Sequence, residues 1–250
     1  MVAALRAAGC VFAEDEAALL RQAARDHDEL AELVGQRVSG LPLEQVLGWA
    51  EFCGLRISVA PGVFVPRRRT EFLAEQTIAR TTPGSVVVEL CCGAGAVSAA
   101  VLAACPQAAV HAADVDPAAV ACAAANLPGA THVAQGDLYA PLPHRLRGRV
   151  EVLVANAPYV PTGEVGLMPP EARLHEPAVA LDGGLDGLAV QRRVAAEAPR
   201  WLAPGGTVLI ETSRRQAPLT ADLLATAGLV PWVLHCADRD ATVVTATADS

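Results

Sequence analysis

The fold class of this chain is decided by the stretch Val86-Val-Val-Glu-Leu-Cys-Cys-Gly-Ala-Gly95. Its first five residues form an apolar run that predicts a buried strand, and Gly93 and Gly95 predict a tight turn into a helix. Ligands of open α/β sheets bind beyond the carboxyl ends of the strands, where glycine lets the backbone approach them closely. The stretch therefore predicts a cofactor loop, although the glycines alone also fit a plain strand-to-helix turn.

Strands and helices alternate after this stretch. Such alternation predicts parallel strands with helices on both faces, so the expected fold is a doubly wound, mostly parallel α/β sheet of seven strands. A long loop is expected from Asn156 to about Asp186, and the polar run Asp238-Arg-Asp240 should separate a final hairpin. The predicted strands are 85–90, 109–114, 131–135, 150–155, 206–212, 229–236 and 241–247, and the predicted helices are about 70–80, 95–105, 117–126, 187–202 and 217–227.

The N-terminal part of the chain has a different pattern. Apolar residues recur at helical spacing from Glu14 to Val38, which predicts a small helical cap. Alternating residues in 55–59 and 63–65, around Pro61-Gly62, predict a β-hairpin. The expected organisation is a cap over residues 1–47, a hairpin linker over 48–66 and the main domain over 67–250.

Composition limits the function. The chain has 250 residues, a formal charge of −8 and 52% apolar residues, and all 19 of its basic residues are arginine. This charge argues against non-specific nucleic-acid binding, which depends on many basic contacts to phosphate. Seven cysteines without a Cys-x-x-Cys pair favour a reducing cytoplasm, and neither they nor the histidines have metal-ligand spacing. No secretory signal is expected, because the N-terminus is only weakly apolar. No membrane span is expected either, because glycines and Pro106 interrupt the uncharged run from Leu90 to Ala113.

Three carboxylates suggest which nucleoside cofactor binds. Asp114 ends the second strand at the place where a carboxylate accepts hydrogen bonds from ribose hydroxyls, and Asp137 follows the third strand, where it could meet an adenine amine. Glu89 before the turn would disfavour a pyrophosphate but could accept from the ammonium of a methionine group. S-adenosylmethionine is therefore predicted, with S-adenosylhomocysteine as product. The predicted cofactor-binding residues are Glu89, Cys91, Gly93, Gly95, Asp114, Val115, Asp137, Leu138 and Asn156.

A catalytic motif follows the fourth predicted strand. Asn156-Ala-Pro-Tyr159 resembles the Asn-Pro-Pro-Tyr tetrapeptide of methyltransferases that modify planar nitrogens, such as glutamine amides and adenine amines. The resemblance implies that the Asn156 side-chain oxygen and the Ala157 carbonyl accept the two N–H groups of the target, while Tyr159 packs on it. Positioning of this kind can supply up to about 7 to 11 kcal/mol without a strong base. Asn156, Ala157, Pro158 and Tyr159 are therefore the candidate catalytic residues; the alternative is a strand-end turn that Pro158 stiffens.

Further motifs extend the resemblance from about residue 41 to the C-terminus. Together they resemble the protein-(glutamine-N5) methyltransferases of peptide chain release factors, the HemK type. The resemblance implies a release factor as protein substrate, and it places Arg67, Thr70 and Glu71 at the substrate entrance, with Glu176 and Pro177 in the loop that covers it. The motifs are Pro42-Leu-Glu-Gln-Val-Leu-Gly48, Glu51-Phe-Cys-Gly-Leu55, Pro61-Gly-Val-Phe-Val-Pro-Arg67 with Thr70-Glu71, Glu176-Pro177, Ala180-Leu-Asp-Gly-Gly184, Asp186-Gly-Leu188 and Pro204-Gly-Gly206 with Glu211 and Gln216.

The chain departs from that family in three respects. Its cap is shorter than usual, Cys91 stands where glycine is usual, and Ala157 replaces the first proline of the tetrapeptide. One hypothesis is therefore that the chain is a divergent paralogue, which methylates another planar nitrogen in nucleic acid or a small molecule. An NAD-dependent oxidoreductase is disfavoured because Ser98 occupies the third glycine position of the dinucleotide fingerprint. A silent binding module that retains the cofactor pocket is the remaining alternative.

Overall fold

A computed structural model describes residues 1–249 of the chain. Four helices come first, then a two-stranded hairpin, and then an alternation of strands and helices. The elements are α1 Val2–Ala7, α2 Ala13–Ala23, α3 His27–Val38, α4 Leu43–Leu47, β1 Trp49–Phe52, β2 Leu55–Ser58, α5 Thr70–Ile78, β3 Val86–Leu90, α6 Ala96–Ala104, β4 Ala109–Asp114, α7 Pro117–Asn126, β5 His132–Gln135, β6 Val150–Ala155, α8 Pro170–His175, α9 Ala178–Leu181, α10 Ala189–Trp201, β7 Leu202–Thr212, α11 Ala217–Thr226, β8 Val230–Cys236 and β9 Ala241–Thr247.

The main sheet has seven strands in the order β5-β4-β3-β6-β7-β9-β8. All neighbouring strands are parallel except those that pair with β9, which runs antiparallel to both β7 and β8. The expected doubly wound, mostly parallel fold is confirmed. The chain leaves β3 first toward β4 and later returns to β6 on the other side, so the strand order reverses between β3 and β6. A crevice forms at such a reversal, beyond the carboxyl ends of the strands.

Two apolar cores cover the two faces of the sheet. Successive residues of a strand point to opposite faces, so Leu153 of β6 packs toward α10 and α11, whereas Val152 and Val154 pack toward α5 and α6. Both faces are therefore apolar, as expected for a parallel sheet with helices on each side. A third cluster, centred on Leu5 and Leu20, holds the N-terminal helices together.

The hairpin lies at a different register from the predicted one. β1 pairs with β2, and the turn between them is Cys53-Gly54, with φ values of 51° and 73°. A two-residue turn with both φ values positive matches the twist of the strands that it joins, which Pro61-Gly62 does not do here. The predicted pairing of 55–59 with 63–65 was therefore wrong, and residues 63–65 belong to no strand.

The segment expected to be one long loop after β6 contains short helices. A 3₁₀ helix spans Thr162–Leu167, and α8 and α9 follow it. Each of the three is preceded by a proline, whose fixed φ favours the start of a helix. Periodicity could not reveal these turns because each is six residues or shorter. No helix within residues 1–249 combines the length and the apolar character that crossing a membrane requires.

Candidate active site

A cavity of about 440 Å³ opens at the strand reversal, beyond the carboxyl ends of β3, β4, β6 and β7. This volume lies within the range of small-molecule sites, about 300 to 1,000 Å³. Most of the residues selected from the sequence line it. They are Arg67, Thr70, Glu89, Cys91, Gly93, Asp114, Val115, Asp137, Leu138, Asn156, Ala157, Pro158, Tyr159 and Pro177.

Glu89 lies at the end of β3 and contacts the first turn of α6. Its Oε2 accepts a hydrogen bond from the Ser98 backbone N–H at 2.9 Å and another from the Ser98 hydroxyl. Burial raises the pKa of Glu89 to about 7, against the lowering effect of Ser98. Helix N-termini bind anions such as pyrophosphate, and this one is already occupied by a carboxylate. The arrangement therefore disfavours a dinucleotide and leaves Glu89 Oε1 without a donor from the described residues.

Asp114 holds the glycine loop from the neighbouring strand β4. Its Oδ2 accepts from the Gly93 N–H at 2.9 Å, and its Oδ1 accepts from the Asp116 N–H at 2.9 Å. Burial raises the pKa of Asp114, while the hydrogen bonds from backbone N–H groups lower it. Space is open where a Gly93 side chain would project, so a ligand can approach the backbone there.

Cys91 and Leu138 both have positive φ, 55° and 50°. This left-handed region costs a residue with a side chain about 1 to 2 kcal/mol, and glycine avoids that cost. Residues held in such conformations cluster at functional sites. Both strained positions line the cavity, which places the strain in the two loops predicted to hold the cofactor.

Asp137 has a partner that the sequence did not indicate. Its Oδ2 accepts from Arg193 Nη2 at 2.6 Å, and both side chains are about half exposed. Arg193 belongs to α10 and lines the cavity too. Ion pairs this exposed contribute about 0 to 1 kcal/mol, so a ligand can displace Arg193 from Asp137 at little cost.

The tetrapeptide begins directly after β6. Asn156 Nδ2 donates to Thr70 Oγ1 at 3.3 Å, which orients the carboxamide. None of the hydrogen bonds among residues 1–249 uses Asn156 Oδ1 or the Ala157 carbonyl as acceptor. Both residues line the cavity, so the two acceptors assigned to the target nitrogen are free to accept from a ligand.

Two glycines and one glutamine hold the tetrapeptide from behind. A Cβ on Gly183 would lie 2.7 Å from the Pro158 carbonyl oxygen, and one on Gly187 would lie 2.3 Å from the Tyr159 carbonyl oxygen. Gln216 Nε2 donates to that same Tyr159 oxygen at 2.9 Å. The glycines are therefore required for this close approach. In the sequence these residues belong to motifs of the resembled family, and the pattern alone indicated no role for them.

Tyr159 and Glu211 meet at the inner end of the cavity. The Tyr159 hydroxyl donates to Glu211 Oε1 at 3.3 Å, and burial raises the pKa of Tyr159 to about 12. Burial also raises the pKa of Glu211, while Thr70, Arg69 and Tyr159 lower it. Glu211 Oε2 is buried and has no hydrogen-bond partner among the described residues. The sequence pattern indicated no role for Glu211 either.

Three residues selected from the sequence do not line the cavity. Gly95 packs against α7, where a Cβ would lie 3.1 Å from that of Ala123. Glu71 accepts from the Cys53 N–H at 3.1 Å, on the side of the hairpin. Glu176 lies behind Arg67, whose Nη2 donates to it at 2.6 Å, and it also accepts from the Val65 N–H. Glu176 thus holds Arg67 at the cavity wall without facing the cavity itself.

The cavity combines a cofactor half and an acceptor half. Carboxylates and a glycine loop occupy one half, and free oxygen acceptors beside an aromatic ring occupy the other. No group of three or more His, Cys, Asp or Glu side chains within residues 1–249 is arranged to hold a metal ion. The arrangement can hold a cationic nucleoside ligand next to an N–H donor.

Comparison with known proteins agrees with this geometry. The family model of the methyltransferase small domain matches residues 54–182. The release factor glutamine methyltransferase of Gloeobacter violaceus is 38% identical over 82% of this chain and 73% of its own length. A 4-amino-L-phenylalanine/4-methylamino-L-phenylalanine methyltransferase of Streptomyces pristinaespiralis is 37% identical over 71% of this chain and 63% of its own.

Solved structures share the fold. A methyltransferase from Pyrococcus furiosus superposes with a TM-score of 0.59 at 16% identity, covering 79% of this chain and 91% of that one. At this identity the likeness concerns the architecture alone.

Proposed function

This chain belongs to the release factor glutamine methyltransferase family, and on that premise we propose that it transfers a methyl group from S-adenosylmethionine to the side-chain amide of a release-factor glutamine. The observation that carries the proposal is the pair of free acceptors, Asn156 Oδ1 and the Ala157 carbonyl, in the same cavity as the carboxylates of the cofactor half. An amide nitrogen offers two N–H donors, and the pair provides one acceptor for each.

The residues of the cofactor half fit S-adenosylmethionine. Glu89 has an oxygen left for the ammonium of the methionine moiety, and Asp114 keeps lone pairs for the ribose hydroxyls after its two backbone hydrogen bonds. Gly93 leaves the backbone open to the ligand, and Asp137 can exchange Arg193 for the adenine amine. When bound, the cofactor would supply an electrophilic methyl group on a sulfonium; the sulfur would leave as the thioether of S-adenosylhomocysteine, and the methylated nitrogen would release one proton to solvent.

The protein's part of the reaction is positioning. The nitrogen lone pair of an amide is delocalised into the carbonyl, so the nitrogen is a poor nucleophile. Asn156 Oδ1 and the Ala157 carbonyl accept one N–H group each, which holds the nitrogen in one orientation. Thr70 in turn fixes the Asn156 carboxamide, because its hydroxyl accepts from Asn156 Nδ2. Tyr159 closes the side of the pocket. Orientation of this kind contributes to the rate without a strong base.

A labelled-methyl assay tests the proposal. The protein is incubated with isotope-labelled S-adenosylmethionine and a release factor, and mass spectrometry locates the added methyl group. We expect label on the side chain of one glutamine, and none with the Asn156→Ala variant. Label on no release-factor glutamine would contradict the proposed substrate.

A second candidate substrate is a free aromatic amine. The 37% identity to the 4-amino-L-phenylalanine methyltransferase favours it, because an arylamine is also a planar nitrogen with two N–H donors. The same assay with 4-amino-L-phenylalanine in place of the release factor separates the two substrates. Calorimetry with S-adenosylhomocysteine and with NAD tests the cofactor independently. Binding of NAD but not of S-adenosylhomocysteine would contradict both candidate substrates.

A further inference from the structure

The buried carboxylate of Glu211 lies at the acceptor end of the cavity. β6 and β7 are parallel and pair Ala155 with Ile210, so Asn156, the first residue after β6, lies beside Glu211 of β7. Thr70 touches both, since it accepts from Asn156 Nδ2 and lowers the pKa of Glu211. Glu211 therefore belongs to the same subsite as the two acceptors of the target nitrogen.

One oxygen of this carboxylate is used by the protein and the other is not. Oε1 accepts from the Tyr159 hydroxyl, whereas Oε2 is buried without a partner although Glu211 lines the cavity. A buried acceptor without a hydrogen-bond partner destabilises the folded protein, so this carboxylate is kept beside the acceptor site against an energetic cost. Burial raises the pKa of Glu211, and the side chains of Thr70, Arg69 and Tyr159 oppose this effect by favouring its ionised form.

The wall that faces the target nitrogen thus offers two acceptors, Asn156 Oδ1 and the Ala157 carbonyl, and the enclosed carboxylate of Glu211 lies beside them. We propose that Glu211 makes this subsite selective for an amide against the isosteric carboxylate, so that a glutamine enters and a glutamate is rejected. The inference rests on the proposed function. A glutamine amide donates two hydrogen bonds to such a wall, whereas an ionised glutamate donates none and is repelled by Glu211. Bringing like charges together at an interface is unfavourable.

The test compares Glu211→Gln with the unchanged protein. Glutamine has the same shape and keeps an oxygen for Tyr159, but it removes the charge. The exposed Glu51 of β1 provides the matched control, Glu51→Gln, with the same change in net charge. The probes are release-factor variants in which the methylated glutamine is replaced by glutamate or by alanine. Calorimetry in the presence of S-adenosylhomocysteine measures the Kd of each.

We expect the unchanged protein and Glu51→Gln to bind the glutamate probe at least about tenfold more weakly than the alanine probe. In Glu211→Gln this gap should close. A gap of the same size in Glu211→Gln would overturn the inference. If that variant fails to fold, by thermal melting and S-adenosylhomocysteine binding, Glu211→Met supplies a second uncharged side chain of similar length.

The methylation assay distinguishes a failure of the proposed function from a failure of the inference about Glu211. If the unchanged protein methylates no release-factor glutamine, the substrate is wrong. If it methylates one and Glu211→Gln still rejects the glutamate probe, the inference about Glu211 alone is wrong.

Discussion

Two loops at the same edge of the sheet are held in opposite ways. The cofactor loop after β3 is fixed by nearby groups, since Ser98 of the following helix bonds to Glu89 and the adjacent strand supplies Asp114 for Gly93. The tetrapeptide after β6 is fixed by residues far along the chain, Gly187 and Gln216 behind it. Strain differs too: Cys91 in the cofactor loop has a φ of 55°, whereas no residue of the tetrapeptide has positive φ.

The difference indicates separate tasks. The cofactor loop must fit one ligand whose shape does not vary, and a local arrangement suffices for that. In the proposed reaction the tetrapeptide aims two acceptors at one nitrogen, and several elements together fix its backbone. Changes in the tetrapeptide should therefore affect turnover, and changes in the cofactor loop should affect cofactor affinity.

The largest expected effect separates these tasks directly. Asn156→Ala removes one of the two acceptors of the target nitrogen, and loss of one such group in comparable sites lowers kcat by about 100-fold or more. Cofactor affinity, measured by calorimetry, should remain within a few-fold because the cofactor loop is untouched. Unchanged turnover would show that the tetrapeptide does not position the acceptor.

The support behind the tetrapeptide is tested by Gly187→Ala. The added Cβ would meet the Tyr159 carbonyl oxygen, and overpacking of this kind costs about 1 to 3 kcal/mol in addition to the cost of a positive φ. Gly228→Ala is the control, because Gly228 also has a positive φ, 84°, but has open space around it. Urea denaturation should show the larger loss of stability for Gly187→Ala. Equal losses would mean that the close approach is not a constraint.

The pH dependence of cofactor binding tests the cofactor loop. Burial raises the pKa of Glu89 to about 7, so its carboxylate ionises near neutral pH and then attracts the methionine ammonium. Affinity for S-adenosylmethionine should rise roughly tenfold between about pH 6 and pH 8, and Glu89→Gln should abolish this rise. An equal rise in Glu89→Gln would assign it to another group.

The stability of the ligand-free protein should change in the opposite direction. The folded state binds the Glu89 proton more tightly than the unfolded chain, whose pKa is near the ordinary 4.5. The free energy of unfolding therefore falls as pH rises from about 4.5 to about 7, by the contribution of this residue. Urea denaturation at several pH values should show a smaller fall for Glu89→Gln.

The smallest effect concerns strain. Cys91→Gly relieves a left-handed residue but adds backbone freedom to the unfolded chain, so the net gain in stability should be about 1 kcal/mol or less. Cys53→Gly is the control, because Cys53 has a φ of 51° in the hairpin, away from the cavity. Only Cys91→Gly should change the Kd of S-adenosylhomocysteine. An equal Kd in both variants would mean that the strain at Cys91 has no function in binding.

The sequence by itself determined the seven-stranded sheet and the places of Glu89, Asp114 and Asn156. These follow from apolar runs of strand length and from side chains at the strand ends, and in a parallel sheet all such ends meet at one edge. The strands 109–114 and 150–155 lie where the pattern predicted them. Both signals are local and therefore readable along the chain.

Only the tertiary structure decided what lies around those residues. The hairpin register depends on Cys53 and Gly54, which both have positive φ. A cysteine in the sequence does not indicate a positive φ, so this turn could not be predicted. The pairing of Asp137 with Arg193 joins residues 56 positions apart, and the bond from Tyr159 to Glu211 spans 52. Such contacts depend on the packing of whole elements, which no pattern within a segment records. The sequence therefore predicted the acceptor site, and the fold revealed the carboxylate beside it.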